Sequence, residues 1–151
     1  DLYSVGCAGR INSFHETDDG RYLVTLAGIC RFRLLAEDAQ CAGYRCGRVD
    51  FSTYIDDLGP VPDAQMDRIK LFALLKSYFN VEGLMCNWEN IKKASDDTLV
   101  TVLSMACPFE PAEKQAILEA ENTTKRAEIF MMMLEMAVIA AENGGDTTRY
   151  H

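Results

Sequence analysis

Residues 58–63 (LGPVPD) divide the 151-residue chain into two parts with different hydrophobic periodicity. Two prolines and a glycine interrupt regular structure there. Before this segment, residues 44–54 alternate apolar and polar side chains, which is typical of a half-buried strand. After it, apolar residues recur about every 3.6 positions, as in amphipathic helices. The sequence therefore predicts an α+β fold, with a β lobe over 1–62, a helical lobe over 63–143 and a flexible tail over 144–151.

The first lobe is predicted to contain three strand runs, over 2–14, over 22–26 continuing beyond Gly28 as 29–35, and over 44–54. Asp19-Gly20 lies between the first two and favours the positive φ angles of a tight hairpin turn. Gly6, Gly9 and Gly28 fall inside the strand-like runs, which indicates bulges or strong coiling. This pattern is typical of small barrels.

The second lobe is predicted to contain helices over 64–79, 88–93, 96–107, 112–120 and 123–142. Four side chains are predicted to cap helix starts because their oxygens can accept from backbone N–H groups: Asp63, Asn87, Ser95 and Asn122. Pro111 suits the first turn of a helix. The last helix carries Met131, Met132, Met133 and Met136, and two interpretations stay open for them. They fill the core as soft side chains, or they form an adaptable surface that binds apolar polypeptide segments.

Net charge limits the partners of the chain. Fifteen basic against 23 acidic residues give a formal charge of −8 and an isoelectric point near 4.7. An acidic surface repels phosphate groups, so we expect neither nucleic acid nor anionic membrane as a partner. The longest apolar run, residues 129–141, is too short to span a bilayer and contains Glu135. A cytoplasmic location is predicted.

The six cysteines are predicted to be thiols, because no pair has the C-x-x-C spacing and a chain of this size buries a sufficient core without disulfides. We expect no metal and no cofactor. Catalytic motifs are also missing from the sequence: there is no phosphate-binding G-x-x-x-x-G-K-[ST] loop and no G-x-S-x-G elbow. Of the two histidines, His15 adjoins the acidic turn and His151 ends the chain. The chain is predicted not to be an enzyme.

Three segments in order resemble the amino-terminal, substrate-binding domain of the Lon proteases. They are VGCAGRI (5–11), Asp19-Gly20 followed by LVTLAGICRFRL (23–34), and LSMACPFEPAEKQAILE (103–119). Gly9 stands where the family has a small alanine. Six residues occupy motif positions of the family: Gly9, Gly28, Arg31, Arg33, Lys114 and Gln115. The resemblance gives them structural roles, with a bulge at Gly28 and carboxylate or carbonyl partners for the two arginines.

The resemblance implies a PUA-like β barrel packed on a helical bundle, and a role in recognising polypeptides for degradation. The ATPase and peptidase modules of the family have no counterpart before His151, and the family's first strands would precede Asp1. We therefore expect a stand-alone Lon-domain protein of a type found in some bacteria, with a barrel truncated at its amino-terminal end. Neither ATPase nor peptidase activity is predicted.

Two kinds of binding module remain as alternatives. The first binds unfolded or partly folded polypeptides in protein quality control. The second binds RNA, as PUA-like barrels elsewhere do, although the acidic charge disfavours it. An incomplete barrel exposes strand edges, and such edges pair with other chains. The β lobe is thus predicted to recruit an extended peptide or a second copy in a homodimer.

Overall fold

The computed structural model describes residues 2–38, 43–60 and 65–144. The chain divides into two compact units, Asp1–Val61 and Pro62–His151, here called the β unit and the α unit. Each unit has its own secondary structure. None of the described helices is both long and apolar enough to cross a membrane. The predicted cap Asp63 and, beyond Gly144, the predicted tail lie outside the described residues.

The β unit is a three-stranded antiparallel sheet followed by a short 3-10 helix. Strands β1 (Val5–Glu16), β2 (Tyr22–Asp38) and β3 (Cys46–Asp50) lie in the order β1-β2-β3, and Ser52–Leu58 forms the 3-10 helix. Gly20 has a φ of 76° in the turn between β1 and β2, which is the conformation expected of an Asp-Gly hairpin. Within the described residues the sheet is not closed, so the predicted PUA-like barrel is not confirmed.

The register of the β1–β2 pair shifts at two places. One shift falls between Ala8 and Gly9, and the other between Ile11 and Ser13. Ile29 on β2 and Asn12 on β1 are the unpaired residues, so β2 continues through Gly28 instead of ending there. Bulges of this kind increase strand twist and re-aim side chains. The predicted irregularity near Gly28 is therefore present, inside the single strand that was expected to continue beyond this glycine.

The predicted strand over 44–54 is shorter in the structure. β3 ends at Asp50, whose carboxylate accepts hydrogen bonds from the backbone N–H of Ser52 at 2.9 Å and from its hydroxyl at 2.7 Å. Such local bonds to the backbone compete with ladder pairing and favour turns. The chain then enters the 3-10 helix, which buries Tyr54. The alternating pattern alone could not reveal this competition.

The described part of the α unit contains five helices. They are α1 (Arg68–Glu82), α2 (Trp88–Lys93), α3 (Asp96–Ala106), α4 (Pro111–Glu119) and α5 (Thr123–Gly144). The caps predicted at Asn87, Ser95 and Asn122 are confirmed by hydrogen bonds from the backbone N–H groups of the first turns. Asp67 caps α1, and Gly83 ends it with a φ of 66°.

The core of the α unit is a continuous cluster of buried side chains. Phe130 and Leu134 of α5 and Leu71 and Leu75 of α1 have no exposed surface. Aromatic rings contribute to this core. The Phe109 ring, in the segment between α3 and α4, packs edge-on against the Phe130 ring of α5, with ring centres 5.8 Å apart. Helix α5 packs against α1, α3 and α4. The apolar stripe of the longest helix thus organises this unit.

Candidate functional site

The distal part of the β1–β2 hairpin exposes an apolar surface on one side. Cross-strand partners share a face of an antiparallel pair, so the register places five large apolar side chains together. We call this set the hairpin face: Ile11, Phe14, Tyr22, Val24 and Leu26. All five are exposed, from 43% for Val24 to 67% for Phe14. The rings of Phe14 and Tyr22 lie 6.0 Å apart, so the face holds its own aromatic pair.

The opposite side of the same hairpin is mostly polar. Arg10, Ser13, His15 and Thr25 alternate with the hairpin face along the two strands. Leu23 is the apolar exception on that side, and it is 69% exposed. This alternation would normally place the apolar side against a core. Here the apolar side is open to solvent. Exposed apolar clusters of this kind commonly mark interaction sites.

Carboxylates surround the turn end of the hairpin face. Asp19 forms an ion pair with Arg21, and that hydrogen-bonded guanidinium, together with the Thr17 hydroxyl, lowers the pKa of Asp19 to about 2. Glu16 and Asp18 are exposed, and within the described part of the chain neither forms an ion pair. Glu16 pairs with Tyr22 in the register and so lies on the same side as the hairpin face.

A pair of glycines lies at the other end of the hairpin face. Gly9 and Gly28 are cross-strand partners, and both are exposed. A Cβ atom added at Gly9 would come no closer than 3.5 Å to the Ala27 carbonyl oxygen, and one at Gly28 would meet only the Cys7 sulfur, at 3.4 Å. Neither glycine has a positive φ. The pair therefore leaves a shallow depression beside Ile11 and Leu26.

Gly6 differs from this pair because its space is occupied. A Cβ atom at Gly6 would lie 2.6 Å from the Phe32 ring, which covers the glycine directly. Phe32 also contacts Phe51 edge-on, with ring centres 5.9 Å apart. Gly6 is thus needed for packing at the base of the hairpin, whereas Gly9 and Gly28 are open.

An ion pair between a buried arginine and a half-buried aspartate connects the base of the hairpin to the 3-10 helix. The Arg31 guanidinium donates to both carboxylate oxygens of Asp57 at 2.8 Å, and the Arg31 backbone N–H donates to the same carboxylate at 3.0 Å. Arg31 also stacks on the Tyr54 ring at 4.3 Å. Burial opposes the charge of Arg31, but the hydrogen bonds and charge of Asp57 outweigh it and raise the pKa of the guanidinium. This arrangement is an anchor for the hairpin.

The other motif residues make local contacts within their own units. Arg33 donates to the Thr53 hydroxyl at 3.3 Å within the β unit. In the α unit, Lys114 donates to the Met105 carbonyl at 3.1 Å, and Gln115 donates to the Glu119 carboxylate at 2.7 Å. The structure therefore brings Gly9 and Gly28 together but distributes the other motif residues among local structural contacts.

The four methionines of α5 take different positions. Met133 is buried in the core, and Met131 packs half-buried against it. Met132 and Met136 are 52% and 62% exposed. Consecutive helical residues point in different directions, so one surface cannot include all four. The exposed pair continues to Ile139 at helical spacing, and we call Met132, Met136 and Ile139 the α5 stripe.

The cysteines only partly match the prediction of six thiols. Cys7, Cys30, Cys86 and Cys107 are free thiols, whereas Cys46 is disulfide-bonded. The prediction is wrong at Cys46, because a disulfide requires two nearby sulfurs and not a C-x-x-C motif. Cys41 lies outside the described residues. Within those residues, no group of three or more His, Cys, Asp or Glu side chains could hold a metal ion.

The chain is similar to known proteins in sequence and in fold. The family model of the ATP-dependent protease La (LON) substrate-binding domain matches residues 1–136. A crystal structure of a Lon N-terminal domain protein from Xanthomonas campestris is similar in fold, with a TM-score of 0.55 at 17% identity. The likeness covers 83% of this chain and 65% of that one, so this chain spans less than two thirds of that protein. No curated protein matches.

Proposed function

Because the chain belongs to the Lon substrate-binding domain family, we propose that it is a non-catalytic domain that binds unfolded or partly folded polypeptides in protein quality control. The hairpin face is the observation that carries this proposal. It offers five large apolar side chains to solvent on a strand pair whose base is firmly held. Unfolded polypeptides expose apolar side chains and extended backbone, which are the two features that such a surface can bind.

The strength of binding follows from the kind of contacts available. Burial of apolar surface contributes about 2.5 kcal/mol for every ~100 Å² covered, before the costs of association. Strand β1 lies at an edge of the described sheet, so its backbone can add hydrogen bonds that depend little on sequence. These contacts favour modest affinity for many sequences. A domain that surveys unfolded chains needs this breadth.

The α5 stripe is proposed as a second polypeptide-binding surface. Met132 and Met136 have unbranched, polarizable side chains that adapt to different apolar partners. Met131 and Met133 support the helix from the core side. This surface lies in the α unit and can be tested independently of the hairpin face.

The absence of catalysis is part of the same proposal. The sequence contains no phosphate-binding loop, and His15 lies exposed on the polar side of the hairpin. We expect purified protein to hydrolyse neither ATP nor a peptide. Turnover of either substrate that survived repurification would contradict the proposal.

A PUA-like barrel that stays open at its β1 edge and a cytoplasmic location also belong to the proposal. An open β1 edge lets a polypeptide strand pair with the sheet, which a closed barrel would prevent. Free thiols at Cys30 and Cys107 suit a reducing compartment, whereas the disulfide at Cys46 does not. Measuring free thiols in protein extracted under acid quench would decide which state exists in the cell.

The central experiment is a titration with a reduced and alkylated, permanently unfolded protein and, separately, with an RNA oligomer. We expect saturable binding of the unfolded protein and none of the RNA. The double variant Phe14→Ser/Leu26→Ser should weaken binding, since it removes two side chains of the hairpin face. The matched control is Leu23→Ser on the polar side of the same strand, which should bind normally. Preferential binding of RNA would overturn the proposal in favour of an RNA-binding module.

A further inference from the structure

We infer, building on the proposed function, that the hairpin face selects extended segments carrying an apolar side chain at one end and a lysine or arginine at the other. The apolar side chain would enter the depression over Gly9 and Gly28. The cation would lie against Glu16 and Asp18 at the turn. The partner is thus a cationic, apolar strand of an unfolded polypeptide.

The depression supports the apolar half of this inference. Gly9 and Gly28 contribute no side chains, while Ile11 and Leu26 follow on the same side and form a wall. Gly28 could hold a Cβ atom with only the Cys7 sulfur within 4 Å. The space is therefore open at an otherwise continuous apolar surface. An incoming side chain would contact the walls and cover exposed backbone.

The charges at the turn support the cationic half. Asp19 is neutralised by Arg21, but Glu16 and Asp18 form no ion pair within the described residues. The chain as a whole carries a formal charge of −8. A cationic segment is attracted to this field, and an anionic segment is repelled by it.

The spacing between the two ends defines the length of the segment. Gly9 and Glu16 are seven positions apart on β1, with one residue taken up by the bulge at Asn12. At about 3.3 Å per residue, the distance along the strand is roughly 20 Å. A segment that runs beside β1 places every second side chain on the hairpin face. The apolar and cationic side chains would therefore be about six residues apart.

Two fluorescein-labelled peptides of alternating leucine and threonine test this inference. One ends in a lysine pair and the other in a glutamate pair. By fluorescence anisotropy at low salt, we expect the lysine peptide to bind up to about fivefold more tightly, as exposed ion pairs allow. The ratio should approach one in high salt. In the variant Glu16→Gln/Asp18→Asn the ratio should also approach one.

Gly9→Val tests the depression without removing any contact of the fold. A Cβ atom added at Gly9 makes only ordinary van der Waals contacts, and valine favours strands. The melting temperature should therefore stay at or above that of the wild type. Binding of both peptides should weaken about tenfold, as expected when one apolar side chain of the peptide can no longer be buried in the depression. Ser13→Val is the control, because it places a valine on the polar side of the same hairpin and leaves the depression unchanged.

Several outcomes would overturn the inference. One is a charge preference that survives Glu16→Gln/Asp18→Asn, and another is unchanged binding to Gly9→Val. A third is a wild-type dimer that Gly9→Val dissociates and that never binds peptide, since a second copy would then occupy the face. If the unfolded protein still binds while the peptide preference is missing, the inference fails but the proposed function stands. If nothing binds the wild type, both fail.

Discussion

The β unit and the α unit are stabilised by different interactions. In the described part of the α unit, one continuous cluster contains fourteen buried residues, which come from α1, α3, α4, α5 and the segment between α3 and α4. In the described part of the β unit, only Val5, Cys30, Arg31 and Tyr54 are buried. The α unit is therefore held by apolar packing, whereas the β unit depends on backbone pairing and on the Arg31–Asp57 anchor. The unit with the smaller core is also the one with the larger apolar surface available for binding.

The comparison shows how a strand pair can stay ordered while its apolar side remains open. The anchor and the Phe32 ring fix the base of the hairpin, so the distal part needs no core of its own.

The largest effect is expected in the α-unit core. Phe130→Ala removes a side chain with no exposed surface and its edge-on contact with Phe109. We expect the free energy of unfolding of the α unit to fall by about 3–5 kcal/mol. Urea denaturation, monitored by the fluorescence of Trp88, the single tryptophan of the chain, measures the unfolding of this unit. Met132→Ala on the same helix is the control, and a similar loss there would contradict the assignment of the core.

The anchor of the β unit is expected to give the next largest effect. Asp57→Asn leaves the guanidinium of Arg31 buried without its carboxylate, a change that costs about 3 kcal/mol. Hydrogen exchange of β2 amides should accelerate, while the Trp88 transition should not move. Asp56→Asn is the matched control, because Asp56 is exposed. Equal protection in both variants would show that the anchor does not hold the hairpin.

Alkaline pH should affect the α unit in a defined window. Burial raises the pKa of Cys107 from 9.0 to about 11 and that of Tyr78 from 10.0 to about 12. Both groups ionise more readily when the chain is unfolded, so their stabilising contribution is complete below pH 9 and is lost as pH rises toward 11 and 12. The Trp88 transition should show this fall. Cys107→Ala should make the loss of stability with rising pH less steep, and Cys7→Ala should leave it unchanged.

The smallest effect on stability is expected at the hairpin face itself. Phe14→Ser removes a side chain that is two thirds exposed, so the free energy of unfolding should change by no more than about 0.5 kcal/mol. The melting temperature from circular dichroism is the measurement, with Leu23→Ser as the control. A marked loss would mean that Phe14 supports the fold instead of facing a partner.

The sequence predicted the family, the helices and most caps well. The family match confirms the resemblance, and Asn87, Ser95 and Asn122 act as caps where their oxygens precede apolar periodic runs. These features depend on neighbours close in sequence, which a single chain displays directly. The disulfide at Cys46 and the early end of β3 were missed, because they depend on spatial approach and on competing hydrogen bonds.

The hairpin face was only half predictable. The alternation of Tyr22, Val24 and Leu26 indicates that one side of the strand is apolar, but it does not indicate whether that side is covered. The bulge at Asn12 is what keeps Phe14 on the same side as Ile11. Such a register shift has no clear sign in the sequence. The Gly9–Gly28 pair likewise requires the register before the two glycines can be seen as neighbours.

The contrast between Gly6 and Gly9 has a consequence for how this domain can evolve. Any side chain at Gly6 collides with Phe32, so selection for folding should keep glycine there whatever the partner is. A Cβ atom added at Gly9 makes only ordinary van der Waals contacts. Descendants of this chain can therefore change the contour of their binding surface by single substitutions while inheriting the same support. On the proposed function, binding preference and foldability would then be separate traits, and lineages that bind different polypeptides could change the first while keeping the second.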